Sequence, residues 1–217
     1  MCTRGLIGAV LLNLALLAPT ALAASISAMP RTPVDKAELV QLGLLPAGKL
    51  VLALTTADTL GQHYLVLSQK HSQSEIDPDP GHDVKIDLLA SYYSFGDGRW
   101  KRDWTIEDGV DCPIVDSNAS FYPTAVTVTD LDQNGIAEIT VAYKLFCGGG
   151  VDPSVLKVIL RQGKQKLAIR GQTLIKTRGQ PSLGGEMTPD KALSLPANAV
   201  FKQHLEAIRN RVYIEKY

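Results

Sequence analysis

Four oxygen-bearing side chains alternate around one glycine in the stretch Asp130-Leu131-Asp132-Gln133-Asn134-Gly135-Ile136-Ala137-Glu138. Asp130, Asp132, Asn134 and Glu138 hold positions one, three, five and nine of a loop, and the Ile136 carbonyl falls at position seven. A hard cation such as Ca²⁺ takes about 6–8 oxygens at roughly 2.3–2.6 Å. A backbone coiling around such an ion turns alternate side chains inward together, and Gly135 at position six permits the sharp bend. Three carboxylates this close repel one another, and a divalent cation relieves that repulsion. The spacing therefore predicts a structural calcium site built from Asp130, Asp132, Asn134, Ile136 and Glu138, with affinity in the ~10⁻⁴–10⁻³ M range of extracellular modules. The competing reading is a polar turn in which Asp and Asn cap their own backbone.

The flanks narrow the type of loop. An EF-hand needs a bidentate acid at position twelve, but that position is Val141, inside an alternating apolar strand. Val126 and Val128 precede the loop on one face, and Ile139, Val141, Tyr143 and Leu145 follow it on one face. In this strand–loop–strand setting the stretch resembles the D-x-D-x-[DN]-G-x-x-[DE] calcium loops of FG-GAP and related secreted repeats.

Periodicity places the remaining elements. Ala24 to Arg31 reads as a flexible leader. Thr32 suits an N-cap and Pro33 the first turn of a short helix, with Asp35 and Glu38 at its positive end, Leu39, Val40 and Leu42 on its apolar side, and Gly43 at its end. Leu50, Leu52 and Leu54 alternate, and the chain returns through Tyr64 to Leu67 as a hairpin. Lys70 to His82, with Pro78 and Pro80, reads as a surface loop. Val84, Ile86, Leu88, Ala90 and Tyr92 share a strand face, Gly96-Asp97-Gly98 turns the chain, and alternation on the return buries Trp100 and Trp104 together with Ile106. Glu107 to Pro123 reads as irregular. Leu156, Val158 and Leu160 pair with Leu167 and Ile169, and Thr177 to Asp190 is a Gly- and Pro-rich loop. From about Pro196, Val200, His204, Ile208 and Val212 fall at helical spacing. The expected architecture is a single α+β domain over residues 32–217, mainly a meandering antiparallel β-sheet of successive hairpins with a short N-terminal helix and a C-terminal helix.

At the start of the chain, Arg4 precedes an apolar run from Leu6 to Leu17, and Pro19-Thr20 leads into Ala21-Leu22-Ala23. That is the anatomy of a secretory signal peptide over residues 1–23, cleaved after Ala23. The run falls short of the ~20 residues of a membrane span, and no later segment is long enough. The expectation is an exported protein, periplasmic or extracellular, with no transmembrane segment after cleavage. Cys2 leaves with the signal, so Cys112 and Cys147 remain as an even pair, which in an oxidising compartment forms a disulfide. Loss of Arg4 turns a balance of 22 basic and 22 acidic residues into one net negative charge. Without a basic run there is no electrostatic case for a nucleic-acid partner.

Other constellations are weaker. His63, His71, His82 and His204 are scattered and each reads as a surface or satisfied core histidine. Gly179 to Gly184 has the wrong spacing for a nucleophile elbow, and Gly148-Gly149-Gly150 lacks the G-K-[ST] of a phosphate loop. No catalytic set and no organic cofactor emerges. Glu107, Asp108 and Asp111 could serve as hydrolytic carboxylates if held about 5–9.5 Å apart, but a solvated acidic loop is the simpler reading. Tyr92, Tyr93, Trp100 and Trp104 could stack on a sugar, although core packing is favoured.

The segments "HYLVLSQK", "WTIEDGVDCP", "TVTDLDQNGIAEITVAYKLFCGG" and "LKVILRQGKQKLAIRG" resemble a family of small secreted bacterial proteins associated with surface polysaccharide biosynthesis. The shared order is the acidic loop Asp130 to Glu138, then Tyr143, Cys147 and the K-x-x-x-R-G ending Lys166 to Gly171. The chain departs from the family after Cys147, reading Gly148-Gly149-Gly150-Val151-Asp152-Pro153 where the family has x-G-D-V-S-P. The resemblance implies an envelope location. The functional expectation is a calcium-stabilised, non-enzymatic envelope protein that binds or helps handle a cell-surface glycan or a protein partner. The alternatives are a glycan hydrolase using Glu107, Asp108 and Asp111, and an interaction or inhibitor module presenting the Lys70 to His82 loop.

Overall fold

Strands with one apolar face must bury it, and this chain does so by stacking two antiparallel sheets between two helices. A computed structural model describes residues 28–77 and 84–216. Residues 1–27, which include the expected signal peptide and the first half of the expected leader, and residues 78–83, which include His82, lie outside the described residues. In chain order the elements are β1 (Arg31–Pro33), α1 (Lys36–Gln41), β2 (Lys49–Asp58), β3 (Gly61–Ser72), β4 (Lys85–Gly96), β5 (Arg99–Asp111), β6 (Asp116–Phe121), β7 (Thr127–Thr129) and β8 (Glu138–Gly148). There follow β9 (Val155–Gln162), β10 (Gln165–Gln172), β11 (Leu174–Lys176), β12 (Leu183–Gly184), β13 (Met187–Pro189), α2 (Ala199–Val212) and β14 (Ile214–Lys216). The expected fold class holds: the structure is mainly antiparallel sheet, with a C-terminal helix.

The expected single meander is divided between sheets. Strands β1 to β5 form the first sheet in chain order, every neighbour antiparallel. The second has the order β13-β10-β9-β8-β6, with β7 also paired to β8. A third, small sheet sets β11 between β12 and a parallel β14. Leu65, Leu67, Leu88, Ala90 and Trp104 from the first sheet meet Ile139, Val141, Tyr143 and Ile159 from the second in the central core. Tyr64 and Val66 on the opposite face of the first sheet lie under Leu39 of α1. Val158, Leu160, Leu167 and Ile169 lie under Phe201, Leu205 and Ile208 of α2. Among the described residues no helix is long and apolar enough to cross a membrane.

Four local readings are corrected. The described end of the leader is tied down: Ala28 bridges Thr129, and the Met29 N–H donates to the Val128 carbonyl at 3.0 Å. Thr32 and Pro33 do not start a helix but end an edge strand, where a proline need not donate. The N-cap is Asp35, whose Oδ1 accepts the Glu38 N–H at 2.8 Å. Glu107 to Asp111 is strand, because β4 offers a partner throughout, Lys85 opposite Asp111 and Asp87 opposite Gly109. Short strands β12 and β13 likewise interrupt the Thr177 to Asp190 loop.

The tryptophans are corrected for a different reason. Tyr92 pairs with Trp104 and Tyr93 with Arg102, leaving Asp103 as an extra residue. Such a bulge reverses which residues face which side. Trp104 therefore enters the central core, while Trp100 packs on the opposite face of the sheet against Tyr64, ring centroids 4.7 Å apart and edge to face.

Candidate metal centre and its neighbours

Residues Asp130 to Ala137 join β7 to β8, and two left-handed residues, Gln133 at φ 59° and Gly135 at φ 78°, fold them into a tight bend. The turn between β2 and β3 buttresses this bend. The Thr59 N–H and hydroxyl both donate to the Gly135 carbonyl at 2.9 Å, and Asp58 Oδ2 accepts the Ala137 N–H at 2.9 Å. A Cβ on Gly135 would lie 2.6 Å from Thr59 Cγ2, so contact as well as conformation demands glycine.

The bend brings Asp130, Asp132 and Glu138 together, each offering an oxygen within 4.8 Å of the others. Glu138 is fully buried at the start of β8. Its Oε2 accepts the Leu131 N–H at 2.8 Å and the Thr129 hydroxyl at 3.0 Å. Burial nevertheless pushes the Glu138 carboxyl up to about 7, with repulsion from Asp132 and Asp130 acting in the same direction. Asp130 Oδ2 accepts the Gly135 N–H at 3.1 Å, but Asp130 Oδ1 is buried with no donor at all. Asn134 bonds within the bend: its Oδ1 accepts the Ile136 N–H at 2.8 Å and its amide donates to Asp132 at 3.0 Å.

Gln162, at the end of β9, completes the cluster. Its side-chain nitrogen lies 3.2 and 3.3 Å from the two Asp132 oxygens, 3.4 Å from the Ile136 carbonyl and 3.0 Å from Glu138 Oε1. An amide has two hydrogens and cannot satisfy four acceptors. It supplies a partial positive charge where carboxylate and carbonyl oxygens converge. Sequence spacing does not reveal Gln162, because its position depends on β8–β9 register, which sets Arg161 opposite Ile139 and so Gln162 beside Glu138. The donor set suits a hard cation: oxygens only, three carboxylates, and one buried carboxylate oxygen with no hydrogen bond, an arrangement that is costly by itself.

The other acidic candidates separate. On regular strand beyond the bulge, Asp108 faces the core side and Glu107 and Asp111 the other. Glu107 and Asp111 share a side but are four residues apart, roughly 13 Å along a strand, too far for the hydrolytic pair considered above. Asp108 accepts from the Tyr143 hydroxyl at 2.8 Å and from Lys157 Nζ at 2.5 Å. Burial would raise its carboxyl, but Lys157 and Tyr143 outweigh that and hold it below the ordinary value. Asp111 accepts the Glu75 N–H at 2.8 Å and anchors the chain leaving β3. Cys112 and Cys147 form a disulfide with Cα atoms 5.8 Å apart.

A second polar chain adjoins the loop. His63 is 2% exposed, with Nε2 at 2.8 Å from Asp58 Oδ1 and Nδ1 at 2.7 Å from Ser94 Oγ. Ser94 in turn donates to Asp103 Oδ2. Asp58, His63 and Ser94 succeed one another, and Ser94 Oγ lies against two groups at once, His63 Nδ1 and Asp103 Oδ2, with one hydroxyl proton to give. Cross-strand register, His63 opposite Ser94, creates this chain. His204 is likewise buried, its Nε2 at 3.0 Å from the Thr127 hydroxyl, and burial with Arg211 nearby pushes its imidazole below the ordinary value.

Compared with known proteins, the chain matches no family model, no curated protein and no solved structure.

Proposed function

We propose that the Asp130–Glu138 loop holds a calcium ion, and that the chain is an exported, calcium-stabilised envelope protein with a non-enzymatic binding or accessory role in handling cell-surface polysaccharide. The observation that carries the metal reading is Asp130 Oδ1, a buried carboxylate oxygen without a donor, inside a cluster of three acids. Asp130, Asp132, Glu138 and the Ile136 carbonyl would hold the ion, with Asn134 on the same bend. The ion's role is structural: it neutralises the acids and pins the β7–β8 hairpin against the β2–β3 turn. The leader sequence and the Cys112–Cys147 bridge support export. The glycan role rests on the resemblance carried by Asp130 to Glu138, Tyr143, Cys147 and Lys166 to Gly171.

Thermal melts of the full chain with millimolar Ca²⁺ and with chelator test the metal. Calcium raises the midpoint, and Asp132→Ala removes that rise. Identical melts in calcium and chelator would refute the site. Fractionation and N-terminal sequencing test export, with Ala24 expected as the first residue of the exported chain.

A further inference from the structure

A cavity of about 410 Å³ opens beside the acidic loop. Tyr92, Ser94, Asp103, Trp104, Arg161 and Lys164 line it with chemistry that the metal centre does not use. Along its wall runs a column of flat groups. His63 stacks on Tyr92 at 5.1 Å, Tyr92 on Trp104 at 5.1 Å, and the Arg161 guanidinium lies 5.4 Å from the Trp104 ring centre.

Arg161 is the anomaly in this column. Its Nε is buried without an acceptor, and no hydrogen bond or ion pair involves its side chain among the described residues. A partly desolvated guanidinium normally has a carboxylate or phosphate partner, because withdrawing an unpaired charge from water is expensive. Here Arg161 is half-buried, its Nε is cut off from water, and the Trp104 face is its neighbour. Burial accordingly depresses Arg161 below its ordinary value. Tyr92 repeats the pattern: it is 6% exposed, and its hydroxyl is buried with no partner. Two unmatched donors thus share one cavity, and Lys164 adds a cation at its mouth. Of the two acids there, Asp58 is closed off, its oxygens taken by His63, the Leu60 N–H and the Ala137 N–H. Asp103 is exposed, and although its Oδ2 accepts from Ser94, its Oδ1 can accept from a further hydroxyl.

We infer that this cavity binds a carboxylate-bearing, hydroxylated ligand the size of one sugar ring, its carboxylate on Arg161 and its hydroxyls on Tyr92 and Asp103. The guanidinium fork matches a planar carboxylate. The volume falls within the ~300–1,000 Å³ of small-molecule sites. An acidic monosaccharide unit such as a uronate meets all three requirements. The cavity adjoins the proposed cation site, since Ile136 and Ala137 of the acidic loop also line it, but Arg161, Tyr92 and Asp103 are not among the groups that would hold the ion.

D-glucuronate titrated into the full chain tests this, with D-glucose, inorganic phosphate and acetate as comparison probes. Trp100→Phe leaves Trp104 as the sole tryptophan reporter among the two in the chain. Glucuronate is expected to change Trp104 fluorescence saturably, while glucose does not. Arg161→Gln weakens binding roughly tenfold or more and Tyr92→Phe by about threefold to tenfold, the scale of losing a charged and a neutral hydrogen bond. Arg161→Lys, which keeps the charge and loses the fork, also binds more weakly, and it serves where Arg161→Gln fails to fold. The calcium-dependent melting shift reports the metal and the Arg161 and Tyr92 variants report the sugar, so the two readings fail separately. Equal responses to glucose and glucuronate, tighter binding of phosphate, no saturable response, or unchanged affinity in folded Arg161→Lys and Tyr92→Phe would overturn the assignment.

Discussion

Strand β8 starts at Glu138 in the acidic loop and runs to the disulfide at Cys147, so its two ends compare two ways of holding the same pair of sheets together. Toward the Cys147 end, Asp108 is taken from water but meets Lys157 and the Tyr143 hydroxyl, and its carboxyl sits below its ordinary value. Toward the Glu138 end, another buried carboxyl meets neutral donors and two further acids, and rises to about 7. Burial pushes both upward, Glu138 fully enclosed and Asp108 in part. The difference is a cation, supplied covalently by the chain at one end and missing from the side chains at the other. A positive partner decides whether a buried acid stabilises this interface or strains it.

Breaking the bridge tests the closed end most severely. Replacing Cys112 and Cys147 by serine removes a link across a sequence separation of 35 residues. The chain-entropy model puts the loss at about 3.5–4 kcal/mol, measured by denaturant unfolding. Mass analysis with and without reductant should differ by two hydrogen atoms for that one bond, the reductant supplying the two electrons. Asp108→Asn leaves Lys157 without its counter-charge at a partly shielded site, where a loss of about 2–3 kcal/mol is expected. An unchanged midpoint would dissolve the contrast between the ends.

At the open end, about 10 mM calcium should add roughly 1.4–2.7 kcal/mol for dissociation constants of ~10⁻³–10⁻⁴ M. The two acids also predict opposite pH responses. The Glu138 value is raised from 4.5 to about 7, so in chelator its contribution is present below 4.5 and is lost as pH rises through 7. Asp108 is lowered from 3.8, so its contribution is present above 3.8 and is lost as pH falls through its folded value. Melts in chelator from acid to neutral pH, compared with Glu138→Gln, should show a difference of about 1–2 kcal/mol. A flat comparison would show that Glu138 is not strained. Gly135→Ala should be mildest, about 1 kcal/mol or somewhat more if Thr59 cannot yield, because its φ of 78° disfavours a Cβ.

Residues close along the chain made the acidic loop legible before any coordinates. Asp130, Asp132 and Glu138 converge because one short bend carries them all, and the alternating valines and isoleucines around them announce the strands. Groups joined across strands were not legible. Gln162 reaches Glu138, and His63 reaches Ser94, only through register, which composition does not encode. The Asp103 bulge defeated strict alternation for Trp100 and Trp104. At Glu107 to Asp111 a polar, glycine-containing run was drawn into strand by an available neighbour, tertiary pairing overriding local preference. Thr32 and Pro33 have the chemistry of a helix start, but an open edge of β2 claimed them first.

Asp103 also gives β5 an inherited change of parity. Before it, even positions such as Trp100 face the α1 side of the sheet, and after it even positions such as Trp104 and Ile106 face the central core. Substitution there spares this arrangement, whereas deletion would force one half of the strand inside out, evicting either Trp104 or Trp100. In this strand the count of residues constrains the fold more tightly than the identity of the residue that makes up the count.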